Sequence, residues 1–208
     1  KPGGAFRAYN GTLITARDPA HPYKFVVNVT GVLEFNNVTV NHCGMDGALP
    51  YSWEGLYIES DKVKIDHSNL SNNEYGIIVY GANITLTNST LSDNVYHGAL
   101  FAYTSTSRIE HVNVAHNGFY GLALMLSKVK SLKDIRAINN SYDGVAIYKS
   151  NITIHDVHSN SNQRLGIISQ SGNVTMIDSE FINNAFFDVY ETGHNMSGMT
   201  GPGNIDLF

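Results

Sequence analysis

From Glu54 to Phe187 short apolar runs alternate with polar turns on a steady beat. Gly55, Gly76, Gly98, Gly121, Gly144 and Gly166 recur at intervals of 21, 22, 23, 23 and 22 residues. Each is followed by an apolar run: Leu56-Tyr57-Ile58, Ile77-Ile78-Val79, Ala99-Leu100-Phe101, Leu122-Ala123-Leu124, Val145-Ala146-Ile147 and Ile167-Ile168. A second run alternates with period two, placing Val63/Ile65, Ile84/Leu86, Ile152/Ile154 and Val174/Met176 inward and Lys64, Thr85, Thr153 and Thr175 outward. A third puts Leu70, Leu91, Val114, Ala137, Ser159 and Phe181 inward, and the polar Ser159 among them implies loose packing or a bound water. Three strand patterns per repeat, none helical, make a unit that buries its apolar side only by stacking on its neighbours. The pattern predicts an all-β protein: a single-stranded parallel β-helix of about seven to eight coils with 21–23 residues per coil.

Polar residues keep the same beat. Asparagines fall at Asn73 (or Asn72), Asn94, Asn117, Asn140, Asn162 and Asn184. Coils stack about 4.8 Å apart, so one asparagine per coil can pass amide hydrogen bonds along a ladder and satisfy turn backbone that burial would otherwise strand. Two residues further on, Tyr96, Phe119, Tyr142 and Phe186 predict a partial aromatic stack, interrupted at Glu74-Tyr75 and Arg164. The solenoid is expected over residues 25–190. Residues 1–24 form an N-terminal cap or arm that shields the first coil's edge, with a turn at Asp18-Pro19-Ala20-His21, and residues 191–208 a Gly-rich tail or second cap. A longer loop is expected from Gly44 to Ser52.

The first strand is apolar on both faces. If its flanking residues point inward, Tyr57, Ile78, Leu100, Ala123, Ala146 and Ile168 form an outward stripe along the whole helix. A contiguous apolar stripe marks an interface or lies under other parts of the chain; contact between subunits and cover by the terminal segments both fit.

Composition narrows the setting. Only 15% of residues are charged and the net charge is −5, which argues against a nucleic-acid partner. No apolar run approaches the roughly 18 residues of a membrane span, and no signal peptide opens the sequence, as in a mature chain or an excised domain. Cys43 is the single cysteine, so no disulfide staples the coils; beside Asn41 and His42 it offers too few ligands for a metal, and a buried thiol is expected. Asn-x-Ser/Thr sequons begin at Asn10, Asn28, Asn37, Asn69, Asn83, Asn88, Asn139, Asn151, Asn173 and Asn195. With 23 asparagines and about 15% Ser plus Thr, chance accounts for roughly three or four, so N-linked glycans and an extracellular, cell-surface location are expected. For Asn83, Asn151 and Asn173, each seven residues after its glycine, the coil itself also explains the spacing.

Repeats such as Asn83-Ile84-Thr85-Leu86-Thr87-Asn88-Ser89-Thr90-Leu91-Ser92-Asp93-Asn94 followed by Gly98 resemble those of right-handed parallel β-helix proteins, a superfold that includes pectate-lyase-like enzymes and NosD-like surface and periplasmic proteins. The chain is most similar to archaeal-type cell-surface members. The resemblance implies right-handed coiling and leaves function open. The acidic calcium ligands, clustered aspartates with Arg-x-Lys, and Asp-Pro-His-Glu motif of the enzymatic relatives are not found at matching places; Asp18-Pro19-Ala20-His21 is not that motif. No catalytic or cofactor-binding residue is therefore assigned. One turn column reads His67, Asn88, His111, Asp134, Asp156, Asp178; its three aspartates either accept turn amide hydrogens or hold a cation such as calcium. His111 and His116 are expected at the surface. The first reading is a non-catalytic structural or adhesive glycoprotein of a cell surface (S-layer, sheath or filament subunit) that associates with itself. The second is a polysaccharide-acting lyase or epimerase, or a carbohydrate-binding module, favoured by the fold and by Tyr57, Tyr80, Tyr103 and Tyr148.

Overall fold

The computed structural model describes residues 4–18, 23–44 and 55–192, together with short strands at Met196–Ser197 and Ile205–Leu207. Each coil passes through two sheets, one eleven-stranded and one nine-stranded, and every strand pairing among the described residues is parallel. The nine-stranded sheet is built from the runs after the glycines, among them Leu56–Ile58, Ile77–Tyr80, Ala99–Ala102, Leu122–Met125 and Val145–Tyr148. The expected second and third strands fall in the other sheet. In the middle coils they run together as one long strand: Thr85–Ser92, Ser107–Ala115, Val129–Ile138 and Ile152–Asn160.

Within the expected N-terminal cap or arm, the first strand packs directly on the solenoid. Ala5–Thr15 lies in parallel register on Val32–Asn41 and is the first rung of the eleven-stranded sheet. Its apolar side chains find partners there: Phe6 meets Phe25 and Phe35 edge-to-face at ring distances of 5.3 and 6.0 Å. Beyond residue 190, Met196–Ser197 and Ile205–Leu207 continue the two sheets. The rest of the expected tail, the Pro19–Pro22 turn and residues 45–52 of the expected loop lie outside the described residues.

Bends between strands come from one backbone device. All nineteen described non-glycine residues with positive φ, between 46° and 58°, fall into three columns. One, from Asn10 and Asn37 through His67, Asn88, His111, Asp134 and Asp156 to Asp178, bends the long strands in mid-course. Another holds His42, Asn72, Asp93, His116, Asn139, Ser161 and Asn183, each just ahead of the residue in the ladder position. The third holds Tyr103, Leu126, Lys149 and Ser171, with Gly81 at φ 64° in the same place. Left-handed backbone costs an ordinary residue roughly 1–2 kcal/mol and Asn or Asp less, which explains why the first two columns are so rich in Asn, Asp and His.

Inside the coil, Ile65, Leu86, Ile109, Leu132, Ile154 and Met176 form one apolar column, and Leu70, Leu91, Val114, Ala137 and Phe181 another. Ser159 needs neither a void nor a water. Its hydroxyl donates to the Gly166 carbonyl at 2.7 Å and accepts from Asn162 Nδ2 at 3.0 Å. Gly144 makes room for it, since a Cβ there would stand 1.9 Å from that hydroxyl.

The asparagine ladder is complete. Each Oδ1 accepts the backbone N–H of the ladder residue one coil earlier: Asn73 from Cys43, Asn94 from Asn73, Asn117 from Asn94, Asn140 from Asn117, Asn162 from Asn140 and Asn184 from Asn162. Each Nδ2 donates to a backbone carbonyl of the preceding coil, as Asn117 does to Leu91 at 3.0 Å and Asn140 to Val114 at 3.0 Å. From Asn94 to Asn162 it also donates to the next ladder side chain, and Asn184 donates instead to Asp188 Oδ1. Asn117→Leu should therefore destabilise the protein by about 2–3 kcal/mol, because it strands buried groups on both neighbouring coils. The same change at Asn113, on the outer side of its strand, should cost less than about 1 kcal/mol. Denaturant unfolding of the two variants measures the difference; equal losses would contradict the ladder.

Candidate functional site

The most built-up surface of the solenoid is the outer side of the nine-stranded sheet, where the apolar stripe was expected to meet another subunit or to lie under the terminal segments. The stripe does point away from the main core, but it is not exposed. Ile78, Leu100, Ala123, Ala146 and Ile168 are buried and Tyr57 is half-buried; all six belong to a second apolar cluster. Its cover comes from residues just ahead of each glycine and at strand ends: Tyr75, Phe119, Tyr120, Tyr142, Tyr148, Phe187 and Tyr190. A lysine at Leu100 or Ile168 would thus put a charge into an apolar interior and break the fold rather than test an interface.

This cover is an ordered aromatic layer. Tyr75 stacks on Tyr96 at 5.1 Å and Phe119 on Tyr142 at 4.5 Å. Arg164, which interrupts the column in sequence, continues it physically, its guanidinium lying 4.4 Å over the Tyr142 ring. Within the layer sit polar groups that the sequence pattern did not single out. The His97 ring stacks on Tyr120 at 5.0 Å and 7°, and its Nδ1 accepts the Tyr120 backbone N–H at 3.3 Å, so the neutral ring carries its proton on Nε2. The Tyr120 and Tyr148 hydroxyls bond each other at 2.9 Å. Asp143, fully buried, accepts from Arg164 at 3.0 Å and from the Leu165 backbone N–H at 3.2 Å. The sequence signal for this group is the residue immediately before each glycine, which reads Tyr75, His97, Tyr120, Asp143, Leu165 and, before Asp188, Phe187.

Burial sets the proton affinities. It pulls His97 down to about 4 and pushes Asp143 up to about 6 against the opposing pull of Arg164. It also raises Tyr120, helped by the bond to Tyr148, so this phenol stays protonated and can donate but not act as a base. Cys43 is fully buried and pushed up to about 12 by burial, an inert thiol occupying the ladder position of its coil.

Asp134, Asp156 and Asp178 occupy successive left-handed bends. Asp134 Oδ2 pairs with His111 Nδ1 at 2.7 Å and Asp156 Oδ1 with His158 Nε2 at 2.8 Å. No group of three or more His, Cys, Asp or Glu side chains converges among the described residues. The His111–Asp134 pair opens on a shallow groove of about 280 Å³ shared with Asn88, Thr90, Asn113 and Arg136. A carboxylate that orients an imidazole beside a guanidinium is an arrangement able to bind or deprotonate an acidic sugar.

Of the sequon asparagines, Asn10, Asn28, Asn37, Asn69, Asn88, Asn139, Asn151 and Asn173 are exposed and Asn83 is half-buried; Asn195 lies outside the described residues. Asn83 is committed at both ends, its Oδ1 accepting the Ser105 and Thr106 N–H groups and its Nδ2 donating to Asp61 at 3.3 Å.

Residues 54–199, more than two thirds of the chain, match the right-handed β-helix region family, and the chain belongs to it. Among solved structures it is similar to the periplasmic alginate epimerase AlgG, with a TM-score of 0.64, 13% identity, and 89% of this chain covered against 47% of that one. A mutant of the same enzyme gives a TM-score of 0.63 at 14% identity, covering 99% and 48%. At such identity the likeness establishes the fold alone, and this chain spans about half the length of the epimerase. No curated protein sequence matches it. Among the described residues no helix is long and apolar enough to cross a membrane.

The two buried acids oppose each other in pH. The unfolded chain protonates His97 below about 6.5 and the folded one only below about 4, so stability is full above that window and falls as pH drops through it. Asp143 takes its proton at about 6 when folded and at 3.8 when unfolded, so acidification between those values adds stability. In His97→Gln, which keeps an acceptor for the Tyr120 N–H, the decline between pH 7 and pH 4 should shrink by roughly 3 kcal/mol. In Asp143→Asn it should steepen. Urea unfolding across this range reads both, and parallel curves for wild type and His97→Gln would refute the assignment.

Proposed function

We propose that this chain is a structural or adhesive module of a cell surface, glycosylated on asparagine and associating with its own kind. The observation that carries the reading is a partition of asparagines. None of the ladder residues from Asn73 to Asn184 begins a sequon, while eight of the nine described sequon asparagines are exposed. Asn10, Asn37, Asn88 and Asn139 also serve the left-handed bends, but Asn28 and Asn69 do not, and they too face solvent. Self-association is supported by exposed apolar side chains on Ala5–Thr15 rather than by the first-strand stripe: Phe6, Tyr9 and Leu13 all face solvent and offer an apolar surface that a second copy can cover.

A second reading, a polysaccharide-acting enzyme, is favoured by the His111–Asp134–Arg136 groove on a scaffold shared with an epimerase. Glycopeptide mapping of protein from its native source should find glycans at several exposed sequons and the lowest occupancy at Asn83; unmodified peptides throughout would remove the first reading. Sedimentation should show self-association that Tyr9→Lys/Leu13→Lys abolishes. A monomer that cleaves or epimerises a polyuronate, and loses that activity in His111→Ala, would establish the second reading instead.

A further inference from the structure

One groove on the flank of the nine-stranded sheet belongs to neither the ladder nor the aromatic cover. It encloses about 350 Å³ and is lined by Val29, Glu59, Asp61, Lys62, Tyr80 and Gly81. We propose that it binds a neutral pyranose of a glycan chain. This inference rests on the groove's own geometry and does not depend on whether the sequons carry sugars.

Tyr80 is 39% exposed and Tyr103, one coil on, is 53% exposed; the rings pack edge-to-face at 5.2 Å and 67°. In the stacked part of the layer, rings cover one another's faces. An edge-to-face pair leaves more ring face open to solvent, and the C–H side of a sugar ring is attracted to the negative face of an aromatic ring. Beside the aromatic wall stand groups suited to the hydroxyl rim. Glu59 accepts the Tyr57 hydroxyl on Oε1 at 3.0 Å, which fixes the carboxylate and leaves Oε2 as an acceptor. Asp61 is held the same way, its Oδ1 accepting the Asn83 backbone N–H at 2.6 Å, and Lys62 supplies a donor. Two carboxylates against one ammonium disfavour an anionic ligand and suit a polyhydroxyl one.

The corner residue decides why the groove opens here. The equivalent positions in later coils carry Tyr103, Leu126, Lys149 and Ser171, all left-handed. This coil has Gly81 at φ 64°, and a Cβ built on it would meet nothing within 4 Å. The missing side chain leaves open space at this corner of the groove, next to Tyr80 in the chain, that a sugar ring can enter. Asparagine tolerates this backbone conformation and would project into that space without disturbing the coil.

The probes are cellotetraose, mannotetraose and N-acetylated chitotetraose, with tetragalacturonate as the anionic comparison, read by saturation-transfer NMR and titration calorimetry on the whole chain. Wild type should bind at least one neutral probe, and Tyr80→Ala and Gly81→Asn should each weaken that binding roughly tenfold or more. Phe186→Ala, an exposed ring elsewhere, should leave it unchanged. Should Tyr80→Ala fail to fold, Gly81→Asn with a wild-type melting temperature decides alone. Absence of transfer from all three neutral probes, tighter binding of tetragalacturonate, or undiminished binding in folded Gly81→Asn would each overturn the proposal. Glycosylation mapping is read independently, so either result stands whatever the other shows.

Discussion

The solenoid depends on a hydrogen bond repeated in one direction. Each ladder amide accepts from the backbone of the coil before it and donates to a strand-end carbonyl of that same coil, which ties a turn to its neighbour at two points. Apolar columns inside the coil supply most of the burial and forbid a one-residue slip, but a slip by two residues keeps the same face buried. The amides exclude that slip as well. They set which coil position sits above which, and the close contacts at Gly98 and Gly121, where a Cβ would fall 2.7 Å from the ladder nitrogens of Asn117 and Asn140, follow from that fixed stacking.

Much of this was legible in the chain. The beat of glycines and asparagines gave period, fold and ladder, because one coil's geometry imposes the same residue on every coil. Outward-facing structure was less legible. Tyr57, Ile78, Leu100, Ala123, Ala146 and Ile168 do point outward as alternation requires, yet alternation says nothing about what folds over them. The covering residues differ in type from coil to coil: Tyr75, His97 and Tyr120 are followed by Asp143 and Leu165, so no identity repeats to mark the column. Arg164 reads as a break in an aromatic series because stacking between a guanidinium and a ring is invisible to a search for rings. The bend column was visible as a list of His, Asn and Asp; its shared cause, left-handed backbone, is a property that residue identity alone does not reveal, and it supplies a structural reason for the aspartates.

The aromatic layer also explains how a weakly charged solenoid tolerates buried titratable groups. His97 stays neutral between rings, and Asp143 keeps a guanidinium that is itself anchored on Tyr142. Acidification weakens one and favours the other, so the layer's response to mild acid is a difference between two contributions of opposite sign.

Asp188 stands where earlier coils have glycine, and its Oδ1 accepts both the backbone N–H and the Nδ2 of Asn184. An ionised carboxylate can receive but has no hydrogen to hand on. Whole coils could be inserted or deleted anywhere between Asn73 and Asn184 with the chain of amides intact, since every link there is interchangeable. Beyond Asp188 the two sheets run on through Met196–Ser197 and Ile205–Leu207. Coil number in such a repeat is therefore free to drift within the span from Asn73 to Asn184, and a single carboxylate marks where the exchange of identical links gives way to a different one.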